Sequence, residues 1–196
     1  MKVFKFGGAS VKDAEGIRNV HSVLQTVGFE DVLLVISAMG KTTNALEVVI
    51  KNYFEKSPEL QSSIQEVKKY HNQILLDLFE DDKNAVFKDV NSLFLELDHF
   101  ISQNKSPNYN FVYDQIVSFG ELISTTIISH YMGFMGIKTQ WIDVRNLIKT
   151  DNNYRDGQVD WETTQKLIPK GVKKKTLNIT QGFLGSDENN FTTTLG

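Results

Sequence analysis

The chain has 196 residues, of which 40% are hydrophobic and 23% charged, a balance typical of a globular domain. A net charge of −3 gives no electrostatic basis for nucleic-acid binding, and the absence of cysteine excludes disulfides and thiolate chemistry. The four histidines lie far apart without ligand spacing, so we expect no metal site formed by the chain itself. No run reaches the roughly 20 apolar residues of a membrane span and no signal peptide is evident, so we expect a cytoplasmic protein without a membrane partner.

The first ten residues predict a short apolar strand, 2–6, that runs into paired glycines. Gly7 and Gly8 carry no Cβ, so their backbone amides can approach an anionic group closely. Lys5 would supply a full positive charge before the glycines, and Ser10 a hydroxyl after them. The segment therefore predicts a phosphate site, although a plain tight turn is the commoner explanation of such a pair when it is taken alone.

Helix and strand patterns then alternate. Apolar residues at helical spacing predict a helix over Asp13–Val27, which Gly28 would end. Asp31–Ser37 is a nearly continuous apolar run, typical of a strand buried on both faces of a parallel sheet. Together these elements form a right-handed βαβ unit. A polar loop, Ser37–Asn44, follows at the carboxyl end of that strand, where ligands bind in open α/β sheets.

The next sixty residues predict helices almost throughout. Three apolar stripes at helical spacing begin at Leu46, Leu60 and Val86. The acidic pair Asp81-Asp82 lies between two of these stripes. We interpret the pair as a solvated turn rather than a catalytic dyad, because nothing apolar encloses it.

A further helix is predicted over Val112–Met132, after a break at Pro107. Gly120 lies inside this helix, where glycine costs about 1 kcal/mol relative to alanine. Its presence indicates that another part of the chain approaches this turn closely. Glu121 lies beside it, and its position alone would make it an ordinary surface glutamate.

The last third of the chain returns to the α/β pattern. Its predicted elements are strands over Thr139–Asp143 and Leu177–Gln181, a helix from Asp160 to Pro169, and a mobile polar loop over Ser186–Asn190. Asp143 and Arg145 form a charged pair that could be structural. The whole pattern predicts an α/β fold around a parallel sheet.

Four segments at strand ends or at a helix break resemble the aspartokinases of the amino acid kinase superfamily in their order and separations. They are Lys5-Phe-Gly-Gly, Ser37-Ala-Met-Gly-Lys-Thr-Thr-Asn, Ser118-Phe-Gly-Glu and Thr180-Gln-Gly-Phe. Each is modest alone, but together they are specific and the resemblance covers the whole chain. It implies a three-layer αβα sandwich with a mostly parallel central sheet, as in carbamate kinase-like proteins, and a helical segment at about 41–135.

The resemblance also implies an activity, namely ATP-dependent phosphorylation of the β-carboxylate of L-aspartate to 4-phospho-L-aspartate. This is the entry step toward lysine, threonine and methionine. The implied ligands are L-aspartate and ATP with Mg²⁺, and the implied full-length protein is a homo-oligomer.

The resemblance assigns phosphate binding to the first motif. Lys5 would neutralise charge on the transferring phosphoryl group, while the amides of Gly7 and Gly8, together with Ser10, would hold phosphate oxygens. Ala9 departs from the family, which usually has threonine there, and we expect the loss of that hydroxyl to have a modest effect.

The other motifs carry the implied substrate residues. Thr43 matches the substrate-binding threonine of the family, and Ser37 lines the same loop. Glu121 matches the glutamate that meets the ammonium group of the substrate, which would make it more than a surface residue. Arg145 and Phe183 are weaker matches near the same pocket.

The chain ends before the Arg-Gly-Gly-Ser-Asp stretch, the adenine-binding half and the ACT domains with which family members continue. We therefore expect residues 1–196 to form the aspartate-binding, N-terminal portion of a catalytic domain, without kinase activity on its own. Two alternatives stay open. One is another kinase of the superfamily, acting on glutamate, N-acetylglutamate, carbamate or a nucleotide monophosphate. The other is a non-catalytic binding or assembly module.

Overall fold

The computed structural model of the chain describes residues 1–81 and 83–195, and it has the predicted alternation of strands and helices. The elements are β1 Lys2–Phe6, α1 Ala14–Val27, β2 Val32–Ile36, α2 Thr42–Phe54, α3 Leu60–Leu78, α4 Ala85–Gln103, α5 Tyr109–Phe134, β3 Thr139–Ile142, α6 Trp161–Gly171, β4 Leu177–Gln181, β5 Leu184–Ser186 and β6 Thr192–Thr194. Short 3₁₀ helices occupy Gly8–Val11 and Val144–Asn146. The α/β fold class is confirmed.

The four long strands form one parallel sheet in the order β1-β2-β4-β3. Phe6 pairs with Ile36, and Ile36 pairs in turn with Gln181, so the strands end at the same level. Because parallel strands present their carboxyl ends at one edge, the segments that follow β1, β2 and β4 lie side by side.

Helices cover both faces of this sheet. α5 contacts β2, β3 and β4 on one face, and its residues from Val112 to Met132 are almost all buried, as expected of a helix inside a core. On the other face, Ile168 and Val172 from the α6 region line a cavity of about 210 Å³ with Leu33 and Val35 of β2. The arrangement is therefore the expected three-layer sandwich.

Four helices, α2 to α5, follow one another between β2 and β3. α2 contacts α3 and α5, and α4 contacts α5, so the helical segment is packed onto the sheet through α5. Buried residues of the sheet and of these helices belong to one hydrophobic core, which includes Leu34 in β2, Leu75 in α3 and Leu97 in α4.

Two helix boundaries differ from the predicted ones. α5 begins three residues before Val112, because the Asn108 side chain accepts hydrogen bonds from the amides of Asn110 and Phe111 and caps the helix there. α6 continues past Pro169 to Gly171, where the prediction had the proline end it. A proline in the last turn removes only one backbone hydrogen bond, so the helix can run through it.

The polar loop predicted over Ser186–Asn190 forms the turn of an antiparallel hairpin, β5–β6, whose two strands were not predicted. Its mobility stays a prediction. The Asp187 carboxylate is buried, and it accepts hydrogen bonds from the amides of Asn189 and Phe191 and from the Tyr154 hydroxyl. Local composition predicted the loop but not the hairpin, because it does not reveal that Asp187 caps the turn.

The acidic pair between α3 and α4 is described only in part. Asp81 is exposed and its carboxylate accepts a hydrogen bond from the Lys83 amide, as in a solvated turn. Asp82 and Gly196 lie outside the described residues. Within the described part of the chain, no helix is both long enough and apolar enough to cross a bilayer.

Candidate active site

The candidate site lies at the carboxyl edge of the sheet, where three segments from distant parts of the chain meet. They are residues 7–12 after β1, 37–43 after β2, and 182–183 after β4. The turn of α5 that carries Gly120 and Glu121 packs beside them. The four sequence motifs are thereby brought to one edge of the sheet.

The glycine loop, residues 7–12, is a tight structure that leads into α1. The Ser10 amide donates to the Gly7 carbonyl at 2.9 Å, and α1 begins after Asp13, whose carboxylate accepts a hydrogen bond from the Gly16 amide. Lys5 and Ser10 are exposed at the edge. The expectation that a helix begins near Asp13 is therefore confirmed, although a 3₁₀ turn comes between the glycines and α1.

The glycine loop packs directly on the substrate loop, which we define as residues 37–43. The Gly40 amide donates to the Gly8 carbonyl at 3.0 Å. A Cβ on Gly8 would lie 2.6 Å from the Ala38 carbonyl oxygen, so only glycine permits this approach. The two loops therefore meet backbone to backbone.

The substrate loop is held from its other side by α5. The Ser124 hydroxyl donates to the Ser37 carbonyl at 2.8 Å. A Cβ on Gly120 would lie 3.0 Å from the Ala38 Cβ and 3.3 Å from the Thr42 Cγ2, which explains glycine inside that helix. Thr43 lies half-buried in the first turn of α2, where a helix N-terminus favours an anionic group.

Glu121 is buried, with 5% of its surface exposed, although its position in the sequence alone suggested a surface residue. Its Oε2 accepts hydrogen bonds from the amides of Gly182 and Phe183 at 2.9 and 3.0 Å. Burial raises the pKa of Glu121 to about 7, while the two amides and the positive charge of Lys5 oppose that rise. The first and third motifs therefore interact electrostatically.

A polar network fixes the helical turn that carries Glu121. The Thr125 hydroxyl donates to the Glu121 carbonyl at 2.8 Å and accepts hydrogen bonds from Gln181 Nε2 and Trp141 Nε1. The Gln181 Oε1 in turn accepts from the Val144 amide. Sequence analysis missed Thr125 and Trp141 as supports of the site; only Gln181, inside the fourth motif, carried a sequence signal.

The two weaker site candidates, Phe183 and Arg145, are placed differently in the structure. Phe183 reaches the site through its backbone amide, while its side chain packs against the hydrophobic core. The Arg145 guanidinium pairs with the Asp143 carboxylate at 2.7 Å and donates to the Thr192 hydroxyl. These contacts tie Arg145 to the β3 side and to β6, so the structure does not bring it into contact with Lys5 or Glu121. Its assignment to the substrate stays a prediction.

Comparison with known proteins identifies the family of this chain. The sequence profile described as the Amino acid kinase family matches residues 1–196. The chain belongs to the amino acid kinase family. Its relatives within the family include Aspartokinase 1, chloroplastic, from Arabidopsis thaliana (29% identical) and the lysine-sensitive aspartokinase 3 of Escherichia coli (29% identical), each aligned with 99% of the chain.

Solved structures of family members share the fold. E. coli aspartokinase III in complex with lysine and aspartate superposes with a TM-score of 0.85 over 100% of the chain at 26% identity. The same enzyme in complex with aspartate and ADP gives the same score. Aspartate kinase of Clostridium acetobutylicum, at 19% identity and a TM-score of 0.79, shares the fold.

The chain spans less than half the length of these proteins. It covers 35% of the Arabidopsis aspartokinase, 43% of the E. coli aspartokinase 3 sequence and 44% of the aspartokinase III chain in complex with lysine and aspartate. The activity of the whole protein is therefore stated below as a proposal.

Proposed function

We propose that this amino acid kinase domain takes part in the transfer of a phosphoryl group from ATP to the β-carboxylate of L-aspartate. The curated relatives named above are aspartokinases, and the E. coli structures contain aspartate or aspartate with ADP. Those ligands belong to the E. coli protein. The local geometry of this chain supplies the independent support.

The observation that carries the proposal is the position of Glu121. One carboxylate oxygen already accepts two backbone hydrogen bonds, from Gly182 and Phe183, and the charge of Lys5 acts on the same carboxylate. Oε1 is not part of those two bonds. An ionised Glu121 would use Oε1 to bind the ammonium group of an amino acid, because a buried carboxylate is strongly stabilised by a cation.

The proposed reaction needs positioning and charge neutralisation more than a strong base. The substrate carboxylate is already a nucleophile: one of its oxygens forms a bond to the γ-phosphorus as the bond from phosphorus to the bridging oxygen breaks, and ADP leaves with that electron pair. Lys5 at the end of β1 would neutralise charge on the transferring group. Gly7 and Gly8 would place backbone amides against phosphate oxygens.

ATP brings Mg²⁺ to such a reaction, and the metal would neutralise phosphate charge there. The glycine loop suits phosphate oxygens, because Gly7 is exposed with open space where a Cβ would lie and α1 begins one short turn later. Within residues 1–81 and 83–195, no group of three or more His, Cys, Asp or Glu side chains is arranged to hold a metal ion. We therefore assign no residue of this chain to Mg²⁺.

The direct test is acyl-phosphate formation by the full-length protein that carries this chain. The protein is incubated with ATP, Mg²⁺ and L-aspartate, and the acyl phosphate is trapped with hydroxylamine. We expect hydroxamate that depends on aspartate. Parallel reactions with glutamate, N-acetylglutamate, carbamate and a nucleotide monophosphate should give little product. A folded full-length protein with no product from aspartate, or with a preference for another acceptor, would refute the proposal.

Calorimetry on residues 1–196 tests whether this part of the protein holds the aspartate site but not most of the nucleotide site. Because the aspartate-side residues are in this chain, we expect weak binding of L-aspartate and little binding of ATP. The Glu121→Gln variant is the matched control, since it keeps the size of the side chain and removes its charge. Tight ATP binding or turnover by residues 1–196 would contradict this division.

A further inference from the structure

Two adjacent residues of α3, Tyr70 and His71, contact the two loops of the candidate site. The Tyr70 hydroxyl donates to the Lys12 carbonyl at the end of the glycine loop. It also lies against the substrate loop, since a Cβ on Gly40 would lie 2.6 Å from that hydroxyl. α3 supplies none of the sequence motifs, so neither contact is accounted for by the assignments above.

His71 contacts the substrate loop through the side chain of Thr42. The imidazole is fully buried, with its Nδ1 2.8 Å from the Val67 carbonyl and its Nε2 3.3 Å from the Thr42 hydroxyl. The Thr42 hydroxyl also donates to the Met39 carbonyl at 2.7 Å. These contacts fix both the first residue of α2 and the turn that precedes it.

The tautomer of His71 follows from its partners. A carbonyl can only accept, so Nδ1 carries the proton and donates to Val67, which leaves Nε2 of the neutral ring as an acceptor for Thr42. Burial lowers the pKa of His71 to about 4, so the ring is neutral at physiological pH. The single hydroxyl proton of Thr42 therefore lies between two acceptors that share it, with the Met39 carbonyl nearer than the His71 Nε2.

These contacts sit at the junction between the loops. The loops meet through the hydrogen bond from the Gly40 amide to the Gly8 carbonyl, and Tyr70 spans that junction from Lys12 to Gly40. A shift of α3 would move both loops, whereas a shift of either loop alone would break one of these contacts. One rigid helix thus sets the distance between them.

We propose that Tyr70 and His71 are positioning residues that hold the glycine loop and the substrate loop at the separation required for phosphoryl transfer. The inference rests on the proposed function, because it assigns the donor to the first loop and the acceptor to the second. Errors of about 1 Å between reacting groups can cost about 100-fold in rate. Loss of these contacts therefore lowers turnover more than it weakens the binding of either substrate.

Variants of the full-length protein that each lack one hydroxyl group test the positioning role with little risk to folding. Tyr70→Phe removes the contact with Lys12, and Thr42→Val removes the hydroxyl beside His71. We expect kcat to fall by about 10-fold or more in each, with KM for aspartate and for ATP changing less than about 3-fold. Thr42→Ser restores the hydroxyl and should recover most of the lost turnover.

Tyr53→Phe is the matched control. It also removes a phenol that donates to a backbone carbonyl in the helical segment, that of Asn104, but Tyr53 lies at the opposite end of α2 from the substrate loop. We expect its kcat to equal that of the wild type. Equal losses in Tyr53→Phe and Tyr70→Phe, unchanged kcat in Tyr70→Phe and Thr42→Val, or a change in KM alone would overturn the positioning role.

A second measurement does not depend on activity. Backbone hydrogen exchange should become faster in both residues 8–12 and 38–43 of Tyr70→Phe, and unchanged there in Tyr53→Phe. If the wild type makes no acyl phosphate but exchange changes in both loops, the proposed function fails and the coupling stands. If the wild type is active and exchange changes in neither loop or only one, the coupling fails and the proposed function stands.

Discussion

Glu121 shows how far the environment of a single residue can change its chemistry. Burial raises its pKa to about 7 from the usual 4.5, and the nearby amides and Lys5 only partly offset this. Near neutral pH the carboxyl group is therefore divided between its protonated and ionised forms. The same residue on a helix surface would be ionised throughout this range, so the position of Glu121 in the fold makes its charge depend on pH near neutrality.

The first prediction concerns aspartate binding by Glu121. Only the ionised form attracts an ammonium group, so KM for aspartate should fall as the pH rises through about 7. Glu121→Gln should raise KM by roughly 10- to 100-fold at pH 8, with a smaller change in kcat, and should remove this pH dependence. Steady-state kinetics of the full-length protein from pH 6 to 9 measure both. A KM that varies equally with pH in the two proteins would contradict the assignment.

The second prediction concerns stability at the same residue. Because the folded pKa lies above the unfolded one, the folded state binds more protons between pH 4.5 and about 7, and stability is lost as the pH rises through that window. The loss amounts to at most about 3 kcal/mol. Urea unfolding of residues 1–196 should show it, and Glu121→Gln should give a flatter pH profile. Identical slopes for the two proteins would contradict the raised pKa.

Lys5 carries the third prediction. Its ammonium is exposed at the end of β1, so its removal should leave folding unchanged within about 0.5 kcal/mol. Lys5→Ala should nevertheless lower kcat by on the order of 100- to 1000-fold, because a positive charge at the transferring phosphoryl group is lost. Lys2→Ala, an exposed lysine on the same strand, is the control and should keep full activity. Equal kinetics in the two variants would remove Lys5 from the site.

At the scale of elements, the close approach of the glycine loop and the substrate loop decides the geometry of the site. The Gly40 amide donates to the Gly8 carbonyl, and Gly8 lies against the Ala38 carbonyl. Gly120 lets α5 approach the same loop from its other side. At these three glycines a Cβ would collide with a neighbouring element. Substitution there should therefore lower the unfolding free energy more than substitution of a glycine with free space around it.

Gly8→Ala and Gly7→Ala form a matched pair for the fourth prediction. A Cβ on Gly8 would lie 2.6 Å from a backbone oxygen, so the loops must separate, and we expect a loss of about 1–3 kcal/mol in unfolding free energy. A Cβ on Gly7 meets nothing within 4 Å and its φ of −77° suits alanine, so stability should be unchanged or slightly higher. Denaturant unfolding of residues 1–196 compares them. Equal stability of the two variants would show that the loops are not packed as described.

At the scale of the whole molecule, the sheet and the helical segment share one hydrophobic core. Helices α2 to α4 do not form a separate core of their own, because α5 packs on α2, on α4 and on the sheet, and α3 packs on α2 and α4. A substitution in the buried part of the helical segment is therefore expected to destabilise the sheet as well.

Cooperative unfolding is the fifth prediction. Leu97→Ala in α4 removes a fully buried side chain and should lower the unfolding free energy by about 2–5 kcal/mol. The fluorescence of Trp141 and Trp161, which report on β3 and α6, should shift together with the far-UV circular dichroism. Leu95→Ala, which is 58% exposed on the same helix, should change stability by less than about 0.5 kcal/mol. Separate transitions for the two probes would show independent units.

The sequence by itself determined the elements and their order. Apolar periodicity located the four long strands and the helices to within a few residues, because each pattern reflects which face of an element is buried. It placed the start of α5 three residues late, because Asn108 caps the helix earlier, and it missed the short strands β5 and β6 on either side of the turn that Asp187 stabilises. Both errors came from side-chain hydrogen bonds that periodicity does not represent.

Only the tertiary structure decided which residues act together. The position of Glu121 in the sequence alone made it a surface residue, whereas the fold buries it against the amides of Gly182 and Phe183, which are 61 and 62 residues away in the chain. The sequence suggested the pairing of Arg145 with Asp143, but only the fold shows that its guanidinium also donates to the Thr192 hydroxyl in β6. The contacts of Tyr70 and His71 with the two loops carried no sequence signal. The physical reason is that burial, pKa and loop separation depend on contacts between distant segments, whereas local pattern fixes only the elements that carry them.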